Sequence, residues 1–354
     1  MPSGVKVIDL ADPTHPALFT SHAFPGAADV SVEDRMAYIA ETSGLELMRV
    51  QIQGKSFRVG AAETGGKAFA ISVAGNWAYV ASHSLGLRVL NVADPSRLSD
   101  ASSTGALTTR FAVAVNVADK MAFVADGTNG VRIVDVSPSW DAKKPGPPVD
   151  VGSYRPGGSV NRVFPVGTLA YVAAGEQGVR VLDVSTPSAP SEIGSVRSTN
   201  AEDIVVQGTW AYVADGDGGV RVVDVSTPAK PVMLPAVIPG HASSLALSGS
   251  LLFSAGNAGV SVIDISDPGA PALKGRYDTG YAEAISASGN YVYVAEGFRG
   301  LTVIDVFIPT RPLVVSSCDD VYAVGVAVKG DYAIVADSVA LRVIRILIPD
   351  WLTH

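Results

Sequence analysis

GVRVVDVSTP occupies residues 219–228, and variants of this stretch return along the whole chain. Clear copies are GVKVIDLADP from Gly4, GLRVLNVADP from Gly86, GVRIVDVSP from Gly130, GVRVLDVSTP from Gly178, GVSVIDISDP from Gly259 and GLTVIDVFIP from Gly300. Weaker copies begin at Gly44 and Ala340. The copies lie about 40 to 48 residues apart, a period that is typical of arrays of small units that are not stable singly.

The composition favours many short buried strands joined by tight turns. Of 354 residues, 47% are apolar and only 17% are charged, and the chain contains 36 Gly and 22 Pro. The formal net charge of -8 opposes binding to a phosphate backbone, so we expect no nucleic-acid partner.

Cysteine usage and hydropathy exclude two further classes of structure. Cys318 is the only cysteine, so neither an intrachain disulfide nor a thiolate metal cluster can form. No apolar run approaches the roughly 18 to 20 residues that a membrane helix requires, so we expect no membrane span. The start, MPSGVKVIDL, lacks the features of a signal peptide and lies in the middle of a repeat.

One repeat, residues 201–237, shows four strand-like runs: AEDIVVQG, WAYVADGD, GVRVVDVSTP and KPVMLPAVI, here called strands a, b, c and d. The turn between b and c is rich in Gly, Asp and Asn, which tolerate the positive φ of a tight hairpin. Between c and d, the Asp of the VDVS segment is expected to accept a hydrogen bond from the backbone two residues later.

The strands are nearly continuous in apolar residues, which indicates that both faces of each sheet are covered. Four-stranded sheets arranged radially, each packed between two neighbours, meet this requirement. The sequence therefore predicts an all-β fold, a β-propeller of four-stranded antiparallel blades.

The count of strand a predicts eight blades in one domain spanning residues 1–354. Starts fall near Ala27, Ala68, Ala112, Val160, Ala201, Ala242, Ala282 and Ala323. Residues 4–25 would complete the last blade, so that N- and C-terminal strands share it. Strand c occurs nine times, which suggests a fifth strand in the closing blade, formed by residues 4–10 or 341–348.

The copies of strand c resemble the LVIVD repeat, a propeller repeat of bacterial and archaeal proteins. The resemblance covers nearly the whole chain and implies an extracellular, periplasmic or cell-surface location. A cytoplasmic location is the alternative, since the start has no signal peptide. It brings no shared catalytic motif that can be transferred to this sequence. Arg49 and Arg345 depart from it, because most copies carry Asp at this position.

Two further features have a structural interpretation and an alternative. The recurrent Arg of GVR is expected to pair with an acid at the end of strand b, such as Asp126 or Asp215. A longer connection around Trp140, SPSWDAKKPGPPVD, is either a tolerated surface insertion or a partner-docking loop.

Candidate functional residues lie where the repeats disagree, just before and within strand a. Since strand a is innermost in a propeller, these residues are expected to surround the mouth of the central channel, on the face of the b–c turns. The predicted ligand-binding residues are Arg162, Glu202, Asp203, His241, Tyr281 and Glu283. The alternative is a hydrated rim whose charges pair with one another.

No motif for catalysis is present: the sequence has no clustered zinc ligands, no GxSxG and no phosphate-binding loop. We therefore predict a non-catalytic scaffold, without metal or cofactor, that binds a protein, peptide or glycan through the channel mouth. One alternative is a hydrolase or lyase that uses carboxylates and His241 in the channel mouth. Another is a rigid spacer that makes contacts through the outer d strands and the Trp140 loop.

Overall fold

The computed structural model describes residues 4–9, 17–23, 27–33, 36–41, 44–49, 54–55, 57–63, 67–100, 109–137, 147–337 and 340–347. The elements in these ranges are 34 β-strands. Among these residues, none belongs to a helix with the length and apolar character needed to cross a membrane. The chain divides into two compact units, one of Met1–Gly54 with Ile348–His354 and the other of Lys55–Leu347.

The first unit contains two small antiparallel sheets. Strands β1 (Gly4–Asp9) and β2 (Ala17–Ala23) form one sheet, and β3 (Ala27–Glu33), β4 (Met36–Glu41) and β5 (Gly44–Arg49) form the other. The division between the units falls within the two-residue strand β6 (Gly54–Lys55).

The second unit contains seven sheets, here called blades 1 to 7. The strands of blades 1 to 3, after β7 (Phe57–Glu63), are β8 (Ala70–Ala74), β9 (Trp77–Ala81), β10 (Leu87–Asn91), β11 (Ser99–Asp100), β12 (Ala114–Ala118), β13 (Met121–Ala125), β14 (Val131–Asp135), β15 (Val149–Tyr154), β16 (Arg162–Val166), β17 (Leu169–Ala173), β18 (Val179–Asp183) and β19 (Ser191–Val196). Each of these blades is a four-stranded antiparallel sheet whose strands follow the chain in order.

Blades 4 and 5 repeat this order, and in blade 6 four strands in this order are followed by β6 as a fifth. Their strands are β20 (Asp203–Gln207), β21 (Trp210–Ala214), β22 (Val220–Asp224), β23 (Val232–Ile238), β24 (Ser244–Ser248), β25 (Leu251–Gly256), β26 (Gly259–Asp264), β27 (Ala272–Tyr277), β28 (Ala284–Ser288), β29 (Tyr291–Ala295), β30 (Leu301–Asp305) and β31 (Leu313–Cys318). Blade 7 consists of β32 (Ala323–Lys329), β33 (Tyr332–Asp337), β34 (Ala340–Arg345) and β7.

The seven blades of the second unit close into a ring. The first strand of each blade contacts the first strand of the next, and β32 of blade 7 contacts β8 of blade 1. β7 pairs antiparallel with β34, with Ala61 opposite Arg342, and so supplies the outermost strand of blade 7. A β-propeller of four-stranded antiparallel blades is therefore confirmed.

The predicted number of eight blades is wrong, because this propeller has seven. Blade 7 is completed by Phe57–Glu63, whereas residues 4–25 were expected to complete it, and it has four strands. The run from Ala27 to Arg49 supplies only three strands, and β7, the next strand of more than two residues, pairs with β34. The repeat specifies a strand but not its hydrogen-bonding partner, so counting starts gave one blade too many.

Both faces of the blades are covered, as the apolar runs predict. In β21, Ala211, Tyr212, Val213 and Ala214 are all buried. Tyr212 packs with residues of blade 5, whereas Ala211 and Val213 pack with residues of blade 3. Full burial of a large apolar side chain stabilises the fold by about 1.5–3 kcal/mol. Packing between neighbouring blades therefore stabilises both of them.

Neighbouring blades are also joined by backbone hydrogen bonds at one end of the ring. Gly175, in the b–c turn of blade 3, exchanges two hydrogen bonds with Ala201, which precedes strand a of blade 4, both at 3.0 Å. The same bridge joins His83 to Ala112, Gly127 to Val160, Gly216 to Ala242, and Gly297 to Ala323. The b–c turns and the starts of strand a therefore lie on one face, as predicted.

The c–d turns are closed by the repeated Asp, which confirms its predicted role. Asp183, Asp224 and Asp264 each accept a hydrogen bond from the backbone N–H two residues later, at 2.8–2.9 Å. The hydrogen bonds from Ser266 are the main cause that lowers the pKa of Asp264 to about 2. These turns therefore have a structural role.

The predicted pairing of the repeated Arg is confirmed in part. Arg221 lies 3.8 Å from Asp215 and Arg342 lies 3.0 Å from Asp337, each at the end of strand b. Arg132 and Arg180 pair instead with acids on the outer strand d, Asp150 and Glu192. The Arg of each of these blades therefore pairs with a carboxylate of its own blade, on strand d or at the end of strand b.

Candidate binding site at the channel mouth

Three positions on either side of a repeated Ala or Val lie at the start of strand a in each blade. The residue before the repeated Ala or Val is here called the rim position: Lys67, Phe111, Ser159, Asn200, His241, Tyr281 and Tyr322. The residue after it is called the channel position: Phe69, Val113, Asn161, Glu202, Ser243, Glu283 and Val324. The next residue is called the interblade position: Ala70, Ala114, Arg162, Asp203, Ser244, Ala284 and Gly325.

The channel positions line one cavity of about 850 Å³. Its wall includes the channel-position residues of blades 1 to 6, together with rim residues Ser159, Asn200 and Tyr281 and the b–c turn of blade 3. The backbone N–H of each of these channel-position residues donates to the last carbonyl of strand b in its own blade, as Glu202 does to Ala214 at 2.8 Å. The blades thus fix the backbone of these residues around the cavity.

Rim residues are held by the buried Asp that ends strand b. Asp215, which is fully buried, accepts hydrogen bonds from the backbone N–H groups of Thr199 at 3.0 Å and Asn200 at 2.7 Å. Asp126 accepts one from Phe111 in the same way. The backbone at the rim is therefore fixed, whereas its side chains differ from blade to blade.

The structure brings together three of the six predicted site residues. Glu202, Tyr281 and Glu283 all line the cavity. Arg162 and Asp203 occupy interblade positions and do not line it. Side chains alternate along a strand, so the residue after a channel position points away from the channel.

Arg162 and Asp203 instead join three blades. Asp203 is only 3% exposed, and one of its carboxylate oxygens lies 3.1 Å from Nε of Arg162 in blade 3. Its other oxygen accepts a hydrogen bond from the backbone N–H of Leu245 in blade 5 at 2.8 Å. This geometry makes the pair a structural link.

His241 occupies the rim but lies outside the main cavity. It lines a separate recess of about 20 Å³ with Pro239 and Arg276. Its Nδ1 is buried and has no hydrogen-bond partner among the described residues. The predicted grouping of His241 with Tyr281 and Glu283 in one cavity is therefore not what the structure shows.

The two cavity glutamates share an electrostatic character. Burial is the main cause that raises the pKa of Glu202, and His241 acts against it. Burial also raises the pKa of Glu283, with Lys67 acting against it. The ionised form of each carboxylate therefore destabilises the folded state of the chain when no partner is bound.

We expect the double substitution Glu202→Gln with Glu283→Gln to raise the melting temperature at pH 7. Because both pKa values are raised on folding, the folded state binds more protons than the unfolded state, and stability falls as the pH rises through these values. Thermal unfolding should show a gain at pH 7 that shrinks at pH 4. Glu176→Gln, which removes an exposed carboxylate of the same cavity, is the control. A lower melting temperature at pH 7 would contradict this expectation.

Aromatic side chains flank the cavity on two sides, whereas the predicted site contained only one aromatic residue, Tyr281. On blades 1 and 2, Phe69 stacks on His83 with centroids 5.4 Å apart, and His83 contacts Phe111 at 4.1 Å. Nζ of Lys67 lies 4.7 Å above the Phe69 ring. The rim and channel positions already contain Phe69 and Phe111, so aligning all the repeats, apolar residues included, would have found them.

A second aromatic group lies on blades 6 and 7. Phe298, in the b–c turn of blade 6, is 90% exposed and contacts Tyr322 edge to face at 4.5 Å. Tyr281 is 51% exposed. Burial raises the pKa of the Tyr281 hydroxyl, and the nearby carboxylates of Glu283 and Glu202 add to the rise. Tyr281 therefore lies within electrostatic range of both cavity glutamates.

Two other expectations have no structural test. Residues 138–146, which include Trp140, lie outside the described residues. No group of three or more His, Cys, Asp or Glu side chains in the described ranges is arranged to hold a metal ion, and the absence of a cofactor stays a prediction.

The sequence comparison finds the repeat in each blade. Seven segments match the family model of the LVIVD repeat: residues 65–104, 110–140, 157–198, 198–237, 239–279, 280–320 and 322–346. Together they cover more than half of the chain. Among curated proteins, none matches the chain in sequence.

Solved structures share the fold at low sequence identity. The computationally designed Ika8 protein is 12% identical with a TM-score of 0.59, over 83% of this chain and 100% of its own. The WD40 repeats of RRP9 are 12% identical with a TM-score of 0.61, and U3-55K is 11% identical with a TM-score of 0.62, each over 82% of this chain and 98% of its own. Such low identities show the propeller fold alone.

Proposed function

Since this chain belongs to the LVIVD repeat family, whose repeats here build a propeller, we propose that it is a non-catalytic binding module. It recognises a protein or peptide partner through the channel-mouth face, defined by the rim and channel positions and the b–c turns.

The observation that carries this proposal is the clustering of exposed aromatic residues around a polar cavity on one face. Phe111, Tyr281 and Phe298 are 47%, 51% and 90% exposed and all lie at rim positions or b–c turns. Aromatic residues are enriched at protein interfaces and supply most of their binding hot spots. The fold does not require these side chains, because other blades have Ser159 or Asn200 at the rim position and Thr128 or Glu176 at the position of Phe298.

Binding explains the cavity glutamates better than acid–base catalysis does. A catalytic acid and base are expected to have environments that move their pKa values apart. Burial raises the pKa of both Glu202 and Glu283, so neither has an environment that favours the ionised form, which the base or nucleophile of such a pair requires. This supports a recognition role over the hydrolase or lyase alternative.

Selection from a library of random 12-residue peptides displayed on phage tests the proposal. We expect the immobilised protein to enrich peptides that bind in solution, measured by fluorescence anisotropy. Phe298→Ala combined with Tyr281→Ala should weaken their binding at least tenfold, because truncating a central aromatic hot spot costs about 2 kcal/mol or more.

Phe307→Ala provides the matched control for this experiment. Phe307 is an exposed phenylalanine of the same blade, 52% exposed, but it lies in the c–d turn at the opposite end of the ring. Peptide binding should be unchanged in this variant. Failure to enrich any peptide, or enrichment of peptides that bind the Phe298→Ala/Tyr281→Ala variant equally well, would reject the proposal.

A further inference from the structure

The cavity at the channel mouth has an asymmetric charge. Its wall includes the carboxylates of Glu176, Glu202 and Glu283 and no Lys or Arg among its described lining residues. Arg162, which directly follows the cavity residue Asn161, pairs with Asp203 at 3.1 Å between the blades. A ligand that enters the cavity therefore meets a negative wall.

The cavity carboxylates have few partners within the chain. Glu202 accepts a hydrogen bond from Nδ2 of Asn200 at 2.9 Å. Burial raises the pKa of Glu283 and Lys67 acts against this rise, and among the described residues no side-chain hydrogen bond to its carboxylate is seen. In contrast, the interblade and turn acids Asp203 and Asp215 are each held by at least two donors. Glu202 and Glu283 therefore retain most of their capacity to accept hydrogen bonds.

Aromatic rings beside these carboxylates offer a second attraction for a cation. Tyr281 lies within electrostatic range of both Glu202 and Glu283, and Phe69 lines the same cavity. Lys67 already places its ammonium over the Phe69 ring at 4.7 Å, which shows that a cation can approach a ring on this face. The negatively polarised face of an aromatic ring attracts such cations.

We propose that the channel mouth binds an arginine side chain of the partner, with the guanidinium between the Tyr281 ring and the carboxylates of Glu202 and Glu283. This inference rests on the proposed function and names the group that the face recognises. A guanidinium presents five donors in one plane and stacks on aromatic faces, so it fits two carboxylates beside a ring better than the compact ammonium of lysine does.

Isothermal titration calorimetry with the heptapeptide acetyl-Gly-Ser-Gly-Arg-Gly-Ser-Gly-amide tests the inference. The citrulline analogue has nearly the same shape without the charge, and it should bind the full chain at least tenfold more weakly. The lysine analogue should bind with intermediate affinity. In the Glu202→Gln/Glu283→Gln variant, the affinities for the arginine and citrulline peptides should differ by less than twofold. This is expected because the guanidinium charge acts through the two carboxylates that the variant lacks.

Asp331→Asn is the matched control. Asp331 is an exposed carboxylate in the a–b turn of blade 7, at the end of the ring opposite the b–c turns, so its loss should leave the preference for arginine intact. Equal binding of the arginine and citrulline peptides to the unmodified chain, or loss of the preference in Asp331→Asn, would overturn the inference. The phage library tests the whole face without fixing an arginine. Enriched peptides that need Phe298 and Tyr281 but contain no arginine would therefore reject this inference and retain the proposed function.

Discussion

Replacing Asp203 with alanine is expected to lower the free energy of unfolding by about 3 kcal/mol, since removing one partner of a buried ion pair leaves the other charge uncompensated. Asp203 is 3% exposed and pairs with Arg162 in the preceding blade at 3.1 Å. It also accepts the backbone N–H of Leu245 in the following blade at 2.8 Å. Alanine would leave a cation and an amide without partners at the junction of three blades.

Chemical denaturation monitored by tryptophan fluorescence measures this loss. The control is Asp217→Ala, which removes an exposed carboxylate from the b–c turn of the same blade and should change stability by less than about 0.5 kcal/mol. Arg162→Ala combined with Asp203→Ala should cost less than the sum of the single changes, because the two residues are in contact. A loss below 1 kcal/mol for Asp203→Ala would show that the interblade link contributes little.

Much of the fold could be predicted because the repeat specifies local structure. Glycine-rich b–c turns, the Asp that closes the c–d turn and apolar strands covered on both faces follow from the residues of GVRVVDVSTP and its copies. The face shared by the b–c turns and the starts of strand a was also predictable. The glycine bridges, such as Gly175 with Ala201, show why: each turn hydrogen-bonds to the next blade.

Blade number could not be predicted, because it depends on pairing between distant segments. The strand Phe57–Glu63 has an apolar pattern that suits any neighbouring strand c, either Gly44–Arg49 before it or Ala340–Arg345 far along the chain. Local sequence does not distinguish these partners. The choice of β34 follows from closure of a ring, to which all seven blades contribute.

The sequence placed the candidate site at the correct end of strand a, but Arg162 and Asp203 each lie one residue beyond a position that lines the cavity. Variation among the repeats identified Glu202, Tyr281 and Glu283, which do line the cavity. It also selected Arg162 and Asp203, because variation alone does not tell which side of a strand a residue occupies. The alternation of side chains supplies that information once the register is known.

Two cysteines placed across the ring closure should form a disulfide that stabilises the protein by about 4 kcal/mol, since the bond would close a loop of nearly the whole propeller. Ala61 and Arg342 lie directly opposite each other in β7 and β34, where paired Cα atoms are within the roughly 4.4–6.8 Å that a disulfide spans. Ala61 is exposed, whereas Arg342→Cys removes the ion pair with Asp337, a cost that is the same in the oxidised and the reduced protein. Burial raises the pKa of the native Cys318 thiol to about 12, which keeps it out of exchange at neutral pH.

The control pair is Ala61→Cys with Arg345→Cys. Arg345 lies opposite Phe57, and three residues along a strand correspond to about 10 Å. This pair should therefore remain reduced under the same oxidising conditions. Comparing each double variant in its oxidised and reduced forms removes the effect of the substitutions themselves.

The binding face exists only if the seven blades close around one channel, so peptide mass mapping of the oxidised Ala61→Cys/Arg342→Cys protein is the most direct test. A disulfide-linked peptide pair containing positions 61 and 342, with a melting temperature that falls on reduction, is the predicted result. Free thiols at both positions after oxidation would contradict closure by Phe57–Glu63, and with it the seven-bladed ring.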